Sequence, residues 1–271
     1  MKVLMLNGSC NPKGCTYTAL TEVGKTLTSA GIDYEIVQLG GDPVRDCIGC
    51  NQCSKNGCVF TDGGVNDFIA KARQADGFVF GTPVYYAHPS GRVLSFLDRV
   101  FYAGGSAFAG KPGAAVASAR RAGTTASLDA LGKYFGISDM VTVGSTYWNM
   151  VHGHCPEDVM LDGEGLQTMR NLGRSMAWLL HCIQAGREAG YDFPAPERGH
   201  CGHEKPRSGR GQCHRSHLPP DAGRGGCAGG GEPGIISPKR TKKKEDAPFQ
   251  RCVLFVSGLF HYRYRFIRSA S

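Results

Sequence analysis

A chain of 271 residues, 41% of them hydrophobic, is long enough to bury one large core or two small ones. Its formal net charge of +8 is unevenly spread, since residues 199–271 carry +9 and residues 1–198 carry −1. The overall charge therefore does not indicate a nucleic-acid-binding protein, because such binding would depend on the C-terminal segment alone.

The first two-thirds of the chain alternates short apolar runs with segments of helical periodicity. The predicted strands are, in chain order, Val3–Leu6, Tyr34–Leu39, Gly77–Gly81, Ala114–Ala117 and Met140–Val143. Five helices are predicted. The first begins near Thr16 and stops at Gly31, and the second passes through Val65–Ala72. The other three cover Ser90–Phe101, Thr124–Phe135 and Gly165–Ala189. Five apolar strands alternating with helices predict an α/β fold, a doubly wound parallel sheet with helices on both faces.

The composition changes near residue 196. Gly, Pro, His and Arg dominate as far as Pro238, and a basic run follows at Lys239–Lys244. Little of this segment is periodic, and nothing in it indicates a buried core. We therefore predict a folded domain at 1–195 and a basic, disordered tail at 196–271.

The cysteines and the lack of long apolar runs indicate where in the cell the protein is expected. Val3–Leu6 is too short for the core of a signal peptide, and no segment approaches the roughly 18 apolar residues of a membrane span. We expect a cytoplasmic protein with no membrane association, whose 12 cysteines do not form a disulfide scaffold. Where these cysteines cluster, they indicate metal or redox chemistry.

The loop after the first strand has the features of a phosphate site. Gly8 and Gly14 allow close approach of the backbone, Ser9, Thr16 and Thr18 supply hydroxyls, and a helix opens near Thr16. The loop matches neither the dinucleotide fingerprint nor the P-loop, which disfavours those two classes of nucleotide site.

A compact cysteine motif follows the second predicted strand. Its members, Cys47, Cys50, Cys53 and Cys58, fall within twelve residues. C-x2-C-x2-C spacing is typical of iron–sulfur ligation, whereas zinc usually takes two separated C-x2-C pairs. The alternatives that remain open are an iron–sulfur cluster, redox-active or free thiols, and zinc.

Taken together, the loops resemble those of the NADPH-dependent FMN reductase branch of the flavodoxin-like superfamily, including its iron–sulfur flavoprotein relatives. The resemblance covers roughly residues 1–195 and is carried by Gly8–Thr18, Gly81–Tyr86, Asp98-Arg99, Ser118–Thr125 and Tyr147–Asn149. It implies a flavodoxin-like five-stranded sheet in the order 2-1-3-4-5, with FMN bound at the carboxyl ends of the strands. The cysteine spacing resembles that of the iron–sulfur flavoproteins and implies a [4Fe–4S] cluster.

The resemblance also implies which residues bind the cofactor. A phosphate site is expected at Ser9 and Cys15–Thr18, where the family usually has Asn in place of Cys15. The isoalloxazine ring is expected along Pro83–Ala87, with Ser118–Thr125 closing its pyrimidine side. The expected cofactor-binding residues are Ser9, Cys15, Thr16, Tyr17, Thr18, Pro83, Val84, Tyr85, Tyr86, Ser118, Arg120, Arg121, Gly123 and Thr124.

The leading hypothesis is an FMN-dependent NAD(P)H oxidoreductase that reduces a quinone, a flavin or another small molecule, or a protein acceptor. No catalytic side chain is expected, because the flavin carries the chemistry. One alternative is an iron–sulfur flavoprotein electron carrier. Another is a protein that binds a partner or nucleic acid through its basic tail, although nucleic acid is disfavoured. A homo-oligomer is expected, because the aromatic pairs Phe101–Tyr102 and Tyr147–Trp148 would otherwise be exposed.

Overall fold

The structure is a computed structural model that describes residues 1–54 and 56–195. Seven strands and six α-helices succeed one another within these residues, with single 3₁₀ turns at Asp62–Gly64 and Gly105–Ala107. The strands are β1 (Lys2–Asn7), β2 (Asp33–Gln38), β3 (Gly77–Tyr85), β4 (His88–Pro89), β5 (Pro112–Ala119), β6 (Val141–Thr142) and β7 (Met150–His152). The helices are α1 (Cys15–Ser29), α2 (Val65–Gln74), α3 (Gly91–Gly104), α4 (Thr124–Ile137), α5 (Pro156–Leu161) and α6 (Gly163–Glu188).

The five main strands form a parallel sheet in the order β2-β1-β3-β5-β6. Counted among the predicted strands, this order is 2-1-3-4-5, so the predicted doubly wound class is confirmed. Residues 3–6 of β1 and nearly all of β5 are buried, as expected of strands that are covered by helices on both faces.

The sheet differs from the prediction by two short strands. β4 pairs with β3 in antiparallel fashion, and β7 pairs with β5 in parallel. Strands of two or three residues are too short to show an alternating pattern in the sequence. Strand β3 also extends to Tyr85 and β5 to Ala119, beyond the predicted ends, which places part of the predicted binding loops inside the sheet.

Two apolar layers fill the space on either side of the sheet. One packs α1, α5 and α6 against the sheet, with Val23, Met169 and Leu172 fully buried. The other packs α2, α3 and α4 and contains a group of phenylalanines, in which the Phe68 and Phe96 rings meet edge to face at 5.3 Å. These two layers hold the carboxyl ends of the strands rigidly, and the candidate site lies at those ends.

A close contact between α1 and α6 predicts a stability effect. A Cβ added at Gly173 would lie 2.7 Å from the Thr26 Cβ, whereas one added at Gly136 of α4 would meet no neighbouring segment of the described chain within 4 Å. We expect Gly173→Ala to lower the free energy of unfolding by about 2 kcal/mol through overpacking. Gly136→Ala should raise it by about 0.5–1 kcal/mol through helix propensity. Urea unfolding measures both; equal effects at the two sites would contradict the packing argument.

Residues 196–271 lie outside the described residues, so the predicted domain boundary and the predicted disorder of the tail stay predictions. Among the helices of residues 1–54 and 56–195, none is both long and apolar enough to cross a membrane.

Candidate functional site

Four parallel strands bring their carboxyl ends together at one edge of the sheet. Asn7 at the end of β1 is in register with Gly81, Pro83 of β3 is in register with Ser118, and Ser118 is in register with Val151 of β7. The loops that follow these strands are consequently neighbours, although they are separated by up to about 140 residues in the chain. This edge is where an open parallel sheet binds its ligands.

The loop after β1 is held in shape by short-range hydrogen bonds. The Ser9 backbone N–H donates to the Asn7 side chain at 3.2 Å, and the Asn11 N–H donates to the Ser9 hydroxyl at 3.1 Å. From β2, the Gln38 amide accepts from Asn7 Nδ2 at 2.5 Å and donates to the Ser9 carbonyl at 2.6 Å. The loop is therefore ordered by side chains of the sheet before any ligand binds.

The N-terminus of α1 is open to an anion. Its N-cap residue, Gly14, provides no side-chain cap, and the first turn has no acidic residue. The first N–H groups of a helix have no partner within the helix and carry partial positive charge. The Thr16 hydroxyl in this turn lies 2.7 Å from the Ser118 hydroxyl at the end of β5. These groups form a phosphate-sized arrangement of donors.

A cleft of about 300 Å³ opens above this arrangement. Eight of the predicted cofactor-binding residues line it, namely Ser9, Cys15, Thr16, Pro83, Val84, Tyr85, Ser118 and Arg120. Burial and the neighbouring Cys10 thiol raise the pKa of the Tyr85 hydroxyl, so Tyr85 is a neutral phenol at ordinary pH. The three loops that the sequence analysis singled out thus meet at one site.

The remaining six predicted residues do not line this cleft. Tyr17 is half-buried on α1, and the Thr18 hydroxyl donates to the Gly14 carbonyl at 3.2 Å. Arg121 is exposed, and its backbone carbonyl lies 3.1 Å from His152 Nε2. The carbonyl accepts a hydrogen bond in the histidine tautomer that carries its hydrogen on Nε2. Thr124 is buried and donates to the Met150 sulfur at 3.2 Å. Their roles in binding stay predictions.

Tyr86, with Ala87, forms the tip of the β3–β4 hairpin. Both have positive φ, 49° and 64°, where glycine or asparagine is usual. The tip is held by Gly123, whose added Cβ would lie 2.3 Å from the Ala87 Cα. The Tyr86 side chain is 99% exposed and does not line the cleft, so its predicted contact with the flavin ring stays a prediction.

One wall of the cleft was missed by the sequence analysis. Gly153, His154, Cys155 and Pro156 line the side opposite β3, and the Cys15 thiol donates to the Gly153 carbonyl at 3.7 Å. Burial raises the pKa of the Cys15 thiol above its usual value. The sequence offered one signal for this wall: Pro156, because proline is favoured at the first position of a helix and so marks the start of α5.

The cysteine motif lies in the loop between β2 and α2. Within the part of the chain that the structure describes, all four cysteines line one narrow cavity of about 10 Å³, together with Ile48, Asn51, Phe60, Arg99 and Tyr102. Burial, and then the proximity of the Cys58, Cys50 and Cys47 thiols, raises the pKa of the Cys53 thiol. The four thiols are therefore close neighbours, as their spacing predicts.

The four thiols line one cavity, but they are not arranged as the ligands of a metal ion. Among the described residues, no three His, Cys, Asp or Glu side chains already stand in metal-ligand geometry, and no cysteine is in a disulfide.

Helix α3 fixes this loop to the body of the protein. Arg92 donates to the Gly40 and Gly41 carbonyls at 2.8 and 3.0 Å, and the Tyr102 hydroxyl donates to the Asn51 side chain at 3.1 Å. Between them, the buried Arg99 contacts three backbone carbonyls and the Asp62 carboxylate of the same loop. The three side chains are seven and three residues apart, so they lie on one face of the helix.

Comparison with known proteins decides the family. A model described as NADPH-dependent FMN reductase matches residues 1–154, a segment that contains the cysteine loop and every residue that lines the cleft except Cys155 and Pro156. The chain belongs to the NADPH-dependent FMN reductase family. This family member is accordingly a flavin-dependent oxidoreductase with an FMN-type, flavodoxin-like domain, as the resemblance implied.

Individual proteins agree with that assignment. An iron–sulfur flavoprotein of Methanocaldococcus jannaschii is 32% identical over 193 residues, which cover 68% of this chain and all of the relative. Another iron–sulfur flavoprotein, from Methanosarcina thermophila, is 25% identical over 63% of this chain and 88% of its own length. The fold is also that of a solved NAD(P)H:quinone oxidoreductase from Methanothermobacter marburgensis, with a TM-score of 0.51, 18% identity, and coverage of 65% of this chain and 98% of that one.

The role of Gln38 gives a testable prediction for this family member. Gln38→Ala removes the hydrogen bonds from the Gln38 side chain to Asn7 and to the Ser9 carbonyl of the loop after β1, and leaves buried Asn7 without its side-chain partner. We expect the Kd for FMN to rise about tenfold, equivalent to about 1.4 kcal/mol. Fluorescence titration of the apoprotein with FMN measures this, and Gln184→Ala on the exposed face of α6 is the matched control. Equal Kd values for the two variants would contradict a role for Gln38.

Proposed function

We propose that this protein is an electron-transfer flavoprotein that holds FMN in the cleft at the sheet edge and an iron–sulfur cluster on the cysteine loop. The observation that carries the proposal is the pair of sites in one domain: a cleft at an uncapped helix N-terminus and a cavity lined by four thiols. The names of the curated relatives support the pairing.

The residues of the cleft suit FMN. We assign the phosphate to the first turn of α1, with the Ser9 and Thr16 hydroxyls as additional donors. Pro83, Val84 and Tyr85 offer backbone and apolar surface to a flat ring, and the exposed Arg120 offers positive charge. When bound, FMN supplies two-electron and one-electron transfer, while these residues position the ring and leave one side accessible.

The cysteine loop suits a cluster through its donor chemistry. Four thiolates are the ligand set of a [4Fe–4S] cluster. The same cavity contains a buried guanidinium whose Nε has no hydrogen-bond partner among residues 1–54 and 56–195. Cys47, Cys50, Cys53 and Cys58 would hold such a cluster, which would supply one-electron transfer when bound. Its place beside α3 would let a protein or small-molecule acceptor approach from the exposed side of the loop.

A second candidate is a cluster-free NAD(P)H-dependent reductase that passes electrons from FMN to a quinone, a flavin, another small molecule or a protein. It is supported by the family description and by the lack of preformed ligand geometry among the described thiols. In this candidate the cysteines are free or redox-active thiols. Zinc bound by the four cysteines is the third alternative for this loop. The basic tail, with its proposed partners, stays a prediction.

An absorption spectrum of anaerobically purified, full-length protein with iron, zinc and acid-labile sulfide assays separates these candidates. We expect bound FMN together with about four irons and four sulfides per chain. A flavin spectrum without iron, with rapid NADPH or NADH oxidation, would support the reductase instead. Colourless protein that does not bind added FMN would overturn both.

The proposed homo-oligomer can be tested on the same material. The Tyr147 and Trp148 rings, which meet edge to face at 4.9 Å, are each more than half exposed in the single chain. Burial of such a pair is a common reason for subunit association. We expect analytical ultracentrifugation to give a mass of at least twice the 29.0 kDa of one chain; a monomer at micromolar concentration would contradict this proposal.

A further inference from the structure

Arg99 is the one arginine of the described residues that is fully buried, and it lines the cysteine cavity. Its Nη2 donates to the Phe60 carbonyl at 2.8 Å and to an Asp62 carboxylate oxygen at 2.9 Å, and its Nη1 donates to the Arg45 carbonyl at 3.4 Å. Removing a charged guanidinium from water costs free energy, which hydrogen bonds and opposite charges inside the protein must offset.

That compensation is incomplete within the described residues. Arg99 Nε is buried and has no hydrogen-bond partner. Asp62 is the sole carboxylate that contacts the guanidinium; it is about half exposed and is also 3.8 Å from Arg45. A buried donor left unpaired in a native protein calls for a further acceptor. The polar groups that line the cavity with Arg99 are the four cysteine sulfurs, Asn51 and Tyr102, and the Asn51 side-chain oxygen already accepts from the Tyr102 hydroxyl.

We propose that Arg99 is the fixed positive charge of the cysteine centre, positioned to stabilise an anionic, thiolate-ligated cluster and so to set the potential at which it accepts an electron. This inference rests on the proposed iron–sulfur centre. Reduction adds one electron and one negative charge to such a cluster, so a buried cation beside it favours the reduced form. Net charge and hydrogen bonds to the sulfurs are known determinants of cluster potentials.

A purely structural role for Arg99 makes different predictions. Arg99 also anchors the loop through backbone carbonyls, as Arg92 does from the same helix. If anchoring were its whole function, loss of the Asp62 charge would disturb the loop in the same direction as loss of Arg99. An electrostatic role predicts opposite directions, because one substitution removes a positive charge and the other a negative one.

The test is a redox titration of the cluster, followed by EPR, in full-length, FMN-loaded protein purified anaerobically. We expect Arg99→Gln to lower the equilibrium constant for one-electron reduction about tenfold, a fall in midpoint potential of about 59 mV. Asp62→Asn should raise the potential by a smaller amount, because Asp62 is partly exposed. Arg99→Lys should restore most of the wild-type value. Arg174→Gln, at an exposed position of α6 that lines neither site, is the matched control and is expected to leave the potential unchanged.

Each outcome decides the inference. An Arg99→Gln potential equal to that of the wild type, or Asp62→Asn and Arg99→Gln shifting it in the same direction, overturns the role of Arg99 while leaving the proposed centre intact. Wild-type protein without iron and sulfide overturns the centre and this inference together. If Arg99→Gln fails to retain iron, the Arg99→Lys and Asp62→Asn potentials still decide the sign of the effect.

Discussion

Replacing Thr16 with glutamate is expected to abolish FMN binding. Thr16 is buried in the first turn of α1, and its hydroxyl faces that of Ser118 at 2.7 Å. A carboxylate here would occupy the site that we assign to the phosphate and repel it. At about 4 Å and an effective dielectric constant of about 20, two like charges repel by about 4 kcal/mol, or about a thousandfold in Kd.

Two further variants separate charge repulsion from misfolding. Thr16→Val keeps the shape of the side chain and removes one hydroxyl, so we expect a rise in Kd of about tenfold or less. Thr28→Glu places the same new charge on the exposed end of α1, about 18 Å away along the helix, and should leave FMN binding unchanged. Calorimetric titration with FMN measures all three, and far-UV circular dichroism checks that each is folded. Binding by Thr16→Glu at wild-type affinity would show that the phosphate lies elsewhere.

The second large effect is expected at the cysteine loop. Cys50→Ser combined with Cys53→Ser removes two of the four thiols that line the cavity, and a hydroxyl is a poor ligand for iron. We expect iron and acid-labile sulfide to fall to background while bound FMN stays at the wild-type level, because neither residue lines the FMN cleft. Metal analysis by mass spectrometry and the flavin absorbance measure the two quantities on one sample.

Cys182→Ser is the matched control for this double substitution. Cys182 is a free, exposed cysteine on α6 that lines neither site, so its loss should change neither iron nor flavin. Iron retained by the double variant would place the metal elsewhere in the chain. Zinc in the wild type in place of iron would instead identify the loop as a zinc site, an alternative that the spacing leaves open.

The sequence pattern was sufficient for the sheet because each main strand carries its own signal. Val3–Leu6 is a continuous apolar run and is completely buried, and the helical spacing of Leu20, Val23 and Leu27 matches the buried face of α1. With right-handed crossovers, these local patterns leave few possible topologies. The two short strands had no such signal, and they were missed.

The candidate site was predictable where its residues adjoin these strands. Ser9, Thr16, Pro83 and Ser118 follow or end predicted strands, so the parallel topology alone brings them to one edge. The wall at residues 153–156 follows β7, a strand of three residues, and meets the cleft through a contact that spans 138 positions, between Cys15 and Gly153. No local pattern encodes such a contact.

The amino-acid sequence by itself determined the alternation of strands and helices, the sheet edge at which the candidate cleft lies, and the presence of a four-cysteine motif, because each depends on residues that are close together in the chain. Only the tertiary structure decided that Arg99 is buried beside those cysteines and that Gln38 holds the loop after β1 from a neighbouring strand. Gln38 has no distinguishing pattern in the sequence, and Arg99 was noted there only as part of the Asp98-Arg99 pair, with no role assigned to it. Their roles arise from burial and from distances between segments, which packing of the two helical layers sets.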